Sequence, residues 1–178
     1  MSDLTALARD VDACCRLTGE FTLRSGQVAS EYFDKYLFES DPALLGRVAD
    51  EMVGLLPEDT ELLGGLELGG IPIATMVSSL TGRPVAFVRT KAKEYGTCKL
   101  AEGPDATGRR VTLIEDVITT GGAVRDATRA LREAGAVVEV VVCAIDRSPE
   151  GQNPLEDVGL EVRAVLTKVE LDAVQRAR

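Results

Sequence analysis

The amino-acid sequence predicts an α/β protein with a central, mostly parallel sheet flanked by helices, and three observations lead to this prediction. Short apolar segments of strand length alternate along the chain with segments whose apolar residues recur at helical spacing. The strand segments are largely apolar, as expected for parallel strands that are covered on both faces. The length of 178 residues suits about one domain with a substantial core. Ligands of such sheets bind at the carboxyl ends of the strands.

The N-terminal part of the chain predicts a helix followed by two strands. The helix should run to about Thr18, because four apolar residues recur at helical spacing: Leu4, Leu7, Val11 and Leu17. The segments FTLRSG (residues 21–26) and EYFDKY (residues 31–36) then predict two short strands around a turn at Ser25 and Gly26.

The next elements alternate between helix and strand. Ser40 or Asp41 can cap a helix that has Pro42 in its first turn. The buried stripe of this helix should consist of four residues, Leu45, Val48, Met52 and Leu55. Three further segments predict a strand, a helix and a strand, namely LLGG, IPIATMVSSL and PVAFV.

The last third of the chain repeats this alternation. The segment VTLI predicts a strand, and a helix should follow from about Gly122 to Glu133, closed by Gly135. The segments VVEVVVCAI and LEVRAVL predict two more strands, and a short helix ends the chain. Strands that alternate with helices in this way favour right-handed crossovers in a parallel sheet.

The composition excludes several classes of function. Histidine is absent, which removes Ser/His/Asp nucleophile systems, histidine metal sites and imidazole acid–base catalysis. The net charge of −9 argues against a nucleic-acid surface, because duplex binding depends on many basic contacts with phosphates. We expect neither a membrane span nor a signal peptide, since the longest apolar stretch contains Glu139 and the N-terminus opens without basic residues. Four cysteines without a CxxC pair favour a reducing, cytoplasmic setting.

One segment is basic in this acidic chain. Between Arg83 and Lys99, five basic residues stand against one acid, Glu94. A small anionic ligand is the simplest explanation for this local excess of positive charge.

The segment VTLIEDVITTGGA, residues 111–123, combines two features of a binding site. Glu115 and Asp116, called the acid pair below, fall at the carboxyl end of a strand and can accept hydrogen bonds from vicinal hydroxyls. Residues 119–123, called the phosphate loop, form a glycine-containing turn into a helix, where backbone N–H groups bind phosphate. The loop lacks the lysine of a P-loop and the spacing of GxGxxG. A ribose with a 5′-phosphate is therefore the predicted ligand, and the alternative is a capped helix start whose acids only favour the helix dipole.

The same segment closely resembles the phosphoribosyl pyrophosphate (PRPP) signature of the type I phosphoribosyltransferases. Four further segments occur in the expected order and make the resemblance one to the orotate branch: GEFTLRSGQVASEYFDKY, GGLELGGIPIAT, VRTKAKEYGTCKLAEG and AIDRSPEG. The resemblance covers roughly residues 17–150. It implies a type I phosphoribosyltransferase fold in one domain over residues 1–178, with a small N-terminal hood (about 1–40) and a flexible lid loop (about 89–103).

The resemblance also implies an activity. Enzymes of this branch transfer the phosphoribosyl group from PRPP to orotate in pyrimidine (UMP) biosynthesis, giving orotidine 5′-monophosphate and pyrophosphate. They use Mg²⁺, held through PRPP and waters with no direct protein ligand implied, and form cytoplasmic homodimers that share the lid loop across the interface. The residues leave two alternatives open: a phosphoribosyltransferase for another nucleobase, or an inactive regulator that binds PRPP.

Site residues follow from the same resemblance. PRPP would contact the acid pair and the loop after it: Glu115, Asp116, Val117, Ile118, Thr119, Thr120, Gly121, Gly122 and Ala123. The lid loop would add Arg89, Thr90, Lys91, Lys93 and Tyr95, and the catalytic residues would be Arg89, Lys93 and Asp116. Gly69 and Gly70 would form the pyrophosphate loop. Orotate would contact Arg24, Tyr32, Phe33, Thr119 and Arg147. Thr90 and Gly69 stand where many members carry lysine.

Overall fold

The computed structural model describes residues 3–22, 26–90 and 100–177. Its helices are α1 (Leu4–Cys15), α2 (Tyr36–Ser40), α3 (Pro42–Leu55), α4 (Gly70–Thr81), α5 (Gly122–Glu133) and α6 (Lys168–Arg176). Its strands are β1 (Arg16–Thr22), β2 (Val28–Phe33), β3 (Leu62–Leu66), β4 (Val85–Val88), β5 (Ala101–Glu102), β6 (Arg110–Ile118), β7 (Val137–Asp146) and β8 (Glu161–Thr167). One turn of 3₁₀-helix, Glu156–Val158, precedes β8.

Six strands form the central sheet in the order β5-β4-β3-β6-β7-β8. Four of the five neighbouring pairs are parallel, and the edge strand β5 pairs antiparallel with β4. The predicted fold class, a mostly parallel sheet flanked by helices, is therefore confirmed. The sequence did not predict β5, which has only two residues.

The helices cover both faces of this sheet. In β6, Leu113 packs with one buried cluster, which includes α5, and Ile114 packs with the other, which includes α1, α3, α4 and α6. Successive residues of a strand point to opposite faces, so this division places a core on each side of the sheet. No helix within the described residues is long and apolar enough to cross a membrane.

The N-terminal elements differ from the predicted ones. Helix α1 ends at Cys15 instead of about Thr18, because Leu17 lies in β1, opposite Tyr32 of β2. Leu4, predicted on the buried face, is 40% exposed. The two strands are β1 and β2, residues 16–22 and 28–33, so both begin earlier than the segments FTLRSG and EYFDKY suggested.

Residues 34–36 were predicted as the end of a strand, but residues 34 and 35 form a turn and Tyr36 begins α2. The Asp34 carboxylate accepts a hydrogen bond from the Tyr36 N–H at 3.1 Å, which favours a turn over an extended chain. The short helix α2 was not predicted. It places two charged side chains, Lys35 at its N-cap and Glu39 one turn later, near the sheet.

Helix α3 agrees closely with its prediction. Asp41 caps it by accepting hydrogen bonds from the N–H groups of Ala43 and Leu44, at 2.9 and 3.0 Å, and Pro42 occupies the first turn. In the predicted stripe, Leu45, Val48 and Met52 are buried and Leu55 is half-buried.

Candidate active site

Three of the predicted site segments lie at the carboxyl edge of the sheet. The pyrophosphate loop, Gly69 and Gly70, follows β3, the phosphate loop follows β6, and Arg147 follows β7. Because β3, β6 and β7 are adjacent and parallel, these segments meet at one end of the sheet.

Strand β6 is longer than the predicted segment VTLI. It continues to Ile118, and Glu115 lies opposite Cys143 of β7. The acid pair therefore lies within the last part of the strand and not directly after it. Pairing with β7 keeps this part extended and fixes the position of both carboxyls.

Asp116 is fully buried, yet it carries the negative charge of the site. Its Oδ1 accepts a hydrogen bond of 2.5 Å from the N–H of Val117, and its Oδ2 forms an ion pair with Lys35 Nζ. Burial raises the pKa of a carboxyl, but hydrogen bonds with Glu115 and Lys35 outweigh it here and hold the pKa of Asp116 below its ordinary value. Asp116 is therefore ionised at neutral pH.

Two more carboxyls lie beside Asp116. Burial, with the negative charge of Asp116, raises the pKa of Glu39 to about 8. Burial and the hydrogen bond with Asp116 also raise the pKa of Glu115 well above its ordinary value. Three neighbouring carboxyls cannot all ionise out of water at low cost, so protons remain on Glu39 and Glu115 near neutrality.

The pyrophosphate loop is shaped around these carboxyls. A Cβ at Gly69 would overlap Asp116 Oδ2 and would lie 2.6 Å from Glu39 Oε1. A Cβ at Gly70 would overlap the carbonyl oxygen of Ile114 in β6. The turn contains a cis peptide bond between Glu67 and Leu68. Both glycines are thus required by close packing against β6 and its acids.

The phosphate loop forms a concave, anion-compatible surface. It lines a cavity of about 200 Å³ that also borders Glu115. Gly121 adopts a left-handed backbone with a φ of 70°, and its carbonyl accepts the first hydrogen bond of α5, from the Arg125 N–H at 2.9 Å. The N–H groups of residues 122–124 precede that bond, so they have no partner within the helix. Such groups, with the positive end of the helix dipole, suit a phosphate.

Arg147 lies beside this loop. Its backbone N–H donates to the carbonyl of Ile118 at 2.7 Å, directly before Thr119, which is exposed. Its guanidinium lies 5.4 Å from the centre of the Phe33 ring, a cation–π distance. Burial and the nearby charge of Arg16 lower its pKa. Arg147 is therefore a half-buried cation that faces the edge of the site.

The other predicted orotate contacts are placed less uniformly. Tyr32 points to the opposite face of β2 from Phe33 and packs against Phe21, with ring centres 5.6 Å apart. The structure thus brings Phe33, but not Tyr32, to Arg147. Arg24 lies outside the described residues.

The base of the lid loop contacts Glu67, which lies in the turn just before the pyrophosphate loop. The N–H and the hydroxyl of Thr90 donate to Glu67 Oε1, at 2.5 and 2.6 Å. The Arg89 N–H donates to the carbonyl of Leu100, which closes the base of the lid. Lys91, Lys93 and Tyr95 lie outside the described residues.

The sequence reasoning missed three charged residues at this edge: Lys35, Glu39 and Glu67. Lys35 and Glu39 are four positions apart, which places them on one face of a helix. That spacing is visible in the sequence, but it was uninformative because Lys35 was predicted to lie in a strand, residues 31–36, and no element was predicted at Glu39.

An acid pair and a helix-terminal phosphate loop at the carboxyl edge of a parallel sheet suit the binding of a sugar phosphate. Residues 45–169 match the family described as "Phosphoribosyl transferase domain". The chain is 81% identical over 171 residues to the orotate phosphoribosyltransferase of Nocardioides sp., covering 96% of each protein. It is 42% identical over 153 residues to the orotate phosphoribosyltransferase of Methanocella arvoryzae, covering 86% of this chain and 87% of that protein.

Solved structures agree with these relatives. The crystal structure of orotate phosphoribosyltransferase from Mycobacterium tuberculosis with Fe(III) dicitrate has a TM-score of 0.79 to this chain and is 33% identical to it. The comparison covers 96% of this chain and 99% of that one. A second crystal structure of the M. tuberculosis enzyme, in complex with PRPP, has a TM-score of 0.78 at 30% identity, with the same coverage. The chain belongs to the orotate phosphoribosyltransferase family.

Proposed function

We propose that this chain transfers the phosphoribosyl group of PRPP to orotate, with release of pyrophosphate. The observation that carries the proposal is the meeting of three groups at one sheet edge: ionised Asp116, the phosphate loop, and half-buried Arg147. A sugar phosphate needs the first two, and a planar carboxylate needs a guanidinium. In this reaction the bond between C1′ and the pyrophosphate oxygen breaks. A bond from C1′ to N1 of orotate forms, and the N1 proton is released to solvent.

PRPP would lie across the carboxyl ends of β3 and β6. The acid pair would accept hydrogen bonds from the ribose hydroxyls, and the 5′-phosphate would fill the cavity lined by residues 119–123. The pyrophosphate would lie over Gly69 and Gly70, where the helix α4 begins and its N–H groups have no partner within the helix. Orotate would stack near Phe33 with its carboxylate on Arg147.

The leaving pyrophosphate needs positive charge in addition to these backbone N–H groups. Arg89 and Lys93 of the lid loop would neutralise the developing charge on pyrophosphate and exclude water. The oxygens of the acid pair are hard donors that suit waters of a hydrated Mg²⁺, and Glu115 Oε2 is buried without a hydrogen-bond partner among the described residues. When bound, Mg²⁺ would stabilise the charge on the departing pyrophosphate.

The whole chain, residues 1–178, would act as one phosphoribosyltransferase domain with the hood over the base. We propose that it forms a homodimer in which the lid loop, residues 89–103, serves the site of the partner subunit. The reaction would serve pyrimidine biosynthesis in the cytoplasm.

Replacing Arg147 with Ala is expected to weaken orotate selectively. The half-buried guanidinium would pair with the orotate carboxylate. A hydrogen bond to a charged group contributes roughly 1.5–3 kcal/mol, or about 10-fold to 150-fold in affinity. The KM for orotate should rise by that factor while the KM for PRPP changes little. Steady-state kinetics with each substrate varied at saturation of the other measure this.

Lys is the matched replacement at the same position. Arg147→Lys keeps the charge but loses the two-pronged geometry, so its KM for orotate should fall between wild type and Arg147→Ala. An equal rise in KM for both substrates in Arg147→Ala would make Arg147 a structural residue and remove the basis for orotate recognition.

A further inference from the structure

Lys35 holds a position that the proposed mechanism does not use. It is the N-cap residue of α2, its Nζ pairs with Asp116 Oδ2, and its side chain is 31% exposed, whereas that of Asp116 is 1% exposed. Its Nζ also lies 5.3 Å from the centre of the Tyr36 ring. The N-terminal hood thus places the Lys35 ammonium group beside buried Asp116, the acid that is proposed to bind ribose.

The pyrophosphate loop leaves space for this contact. Gly69 has no side chain, and the place of its Cβ is bordered by the carboxylates of Asp116 and Glu39. Any side chain at position 69 would displace one of those carboxylates. Among the described residues, Lys35 is the one cation in ion-pair contact with Asp116.

The charges around Asp116 are unbalanced without Lys35. Glu39 follows Lys35 by one helical turn, is 7% exposed, and its Oε1 is buried without a hydrogen-bond partner among the described residues. Glu115 faces Asp116 from the same strand, and the buried thiol of Cys143 lies behind both on β7. The turn at Gly69 and Gly70 adds only backbone. Lys35 is therefore the one positive charge described beside three carboxyl groups.

Lys35 decides which of these carboxyls is charged. It contacts Asp116 directly, whereas its effect on Glu39 and Glu115 is through space. Burial disfavours the charged lysine, but its hydrogen bond and ion pair with Asp116 outweigh burial and raise the pKa of Lys35. Asp34, before α2, adds negative charge that acts on Glu39. The negative charge therefore lies on Asp116, and Glu39 and Glu115 hold protons.

We propose that Lys35 is a positioning residue for the transferase reaction. Through its ion pair, Lys35 keeps the negative charge of the acid pair on Asp116, whose carboxylate would accept a hydrogen bond from the ribose hydroxyl. This inference rests on the proposed function, because it assigns a task to the same acid pair. The consequence is that Lys35 controls the lower pH limit of PRPP binding.

Lys35→Met tests the proposal through the pH dependence of PRPP binding. A nearby opposite charge lowers a carboxyl pKa by about 1–3 units, so loss of Lys35 should raise the pKa of Asp116 by a similar amount. In a plot of kcat/KM for PRPP against pH, the acidic limb should move to higher pH by about 1–3 units. The dissociation constant of PRPP with Mg²⁺, measured by calorimetry from pH 5 to 9, should show the same shift.

Two variants control this result. Lys35→Arg preserves the cation and should keep the acidic limb near that of wild type. Arg47→Met removes the exposed cation of another ion pair, Arg47 with Asp10 at 2.7 Å, and should leave the limb unchanged. A Lys35→Met protein that loses affinity equally at every pH, or that behaves as wild type, would overturn the proposal.

A measurement on the wild-type chain avoids dependence on the folding of the variant. Carbon-13 NMR of the aspartate and glutamate carboxyls should show Asp116 titrating below its ordinary pKa and Glu39 still protonated near neutrality. An ordinary pKa for Asp116 would contradict the role of Lys35. If the wild type binds PRPP but makes no orotidine 5′-monophosphate, the proposed function fails, and the binding data still decide the role of Lys35.

Discussion

Replacing Asp116 with Asn is expected to lower kcat/KM for PRPP by about 10-fold to 150-fold while the fold persists. Asp116 is the ionised member of the acid pair, so the hydrogen bond that we propose from a ribose hydroxyl to Asp116 would be charge-assisted. Loss of such a bond costs roughly 1.5–3 kcal/mol, which corresponds to that factor. Steady-state kinetics and calorimetric titration with PRPP and Mg²⁺ measure the effect.

Glu115→Gln is the matched control in the neighbouring position. The pKa of Glu115 is raised well above its ordinary value, first by burial, so its carboxyl is already neutral near pH 7. Gln has the same shape and no charge, and we expect kcat/KM to fall by about 2-fold to 10-fold. This small effect follows because a neutral carboxyl contributes only a neutral hydrogen bond, roughly 0.5–1.5 kcal/mol. Equal losses in both variants would contradict the assignment of the charge to Asp116.

Replacing Gly121 with Ala is expected to lower kcat/KM for PRPP by about 100-fold, because the phosphate loop would have to move. The φ of 70° costs roughly 1–2 kcal/mol for a residue with a Cβ. The new Cβ would also lie 2.6 Å from Leu155 Cδ2, in the buried core. A displacement of about 1 Å at a binding site can cost about 100-fold in rate. Kinetics and thermal unfolding of the variant measure the two effects.

Gly82→Ala is the control that shows the effect of backbone strain alone, outside the proposed phosphate site. Gly82 also has a φ of 70°, but nothing lies within 4 Å of its Cβ position, and it ends α4 at the end remote from the pyrophosphate loop. This variant should lose stability of roughly 1–2 kcal/mol and keep the wild-type KM for PRPP. If Gly121→Ala loses stability only, as Gly82→Ala should, the phosphate loop does not bind the 5′-phosphate as proposed.

The sheet was predictable because its signals are local. The apolar segments in β3, β4, β6 and β7 and the capping of α3 by Asp41 are readable in a short window of sequence. The turn of residues 119–123 into α5 was predictable for the same reason, since glycine marks a backbone conformation that other residues rarely adopt. The elements that the sequence missed depend on partners far along the chain.

Three cases show this dependence. Leu17 fits the helical spacing of α1, but pairing with β2 extends the chain from Arg16 onward. Strand β5 has two residues and exists through its pairing with β4. Glu39 looks like a solvent-exposed acid in the sequence, and only the approach of α2 to Gly69 shows that it is buried beside Asp116. Contacts of this kind leave no periodic pattern in the sequence.

The acceptor base is the central claim, and pyrophosphate release from PRPP and Mg²⁺ with a panel of bases tests it most directly. Orotate, uracil, adenine and hypoxanthine should be compared with the wild-type chain under identical conditions. The account predicts release with orotate, formation of orotidine 5′-monophosphate in equal amount, and little or none with uracil, which would leave the Arg147 guanidinium unpaired. Faster release with uracil or a purine would contradict orotate as the substrate. No release with any base, despite binding of PRPP, would contradict an enzymatic role altogether.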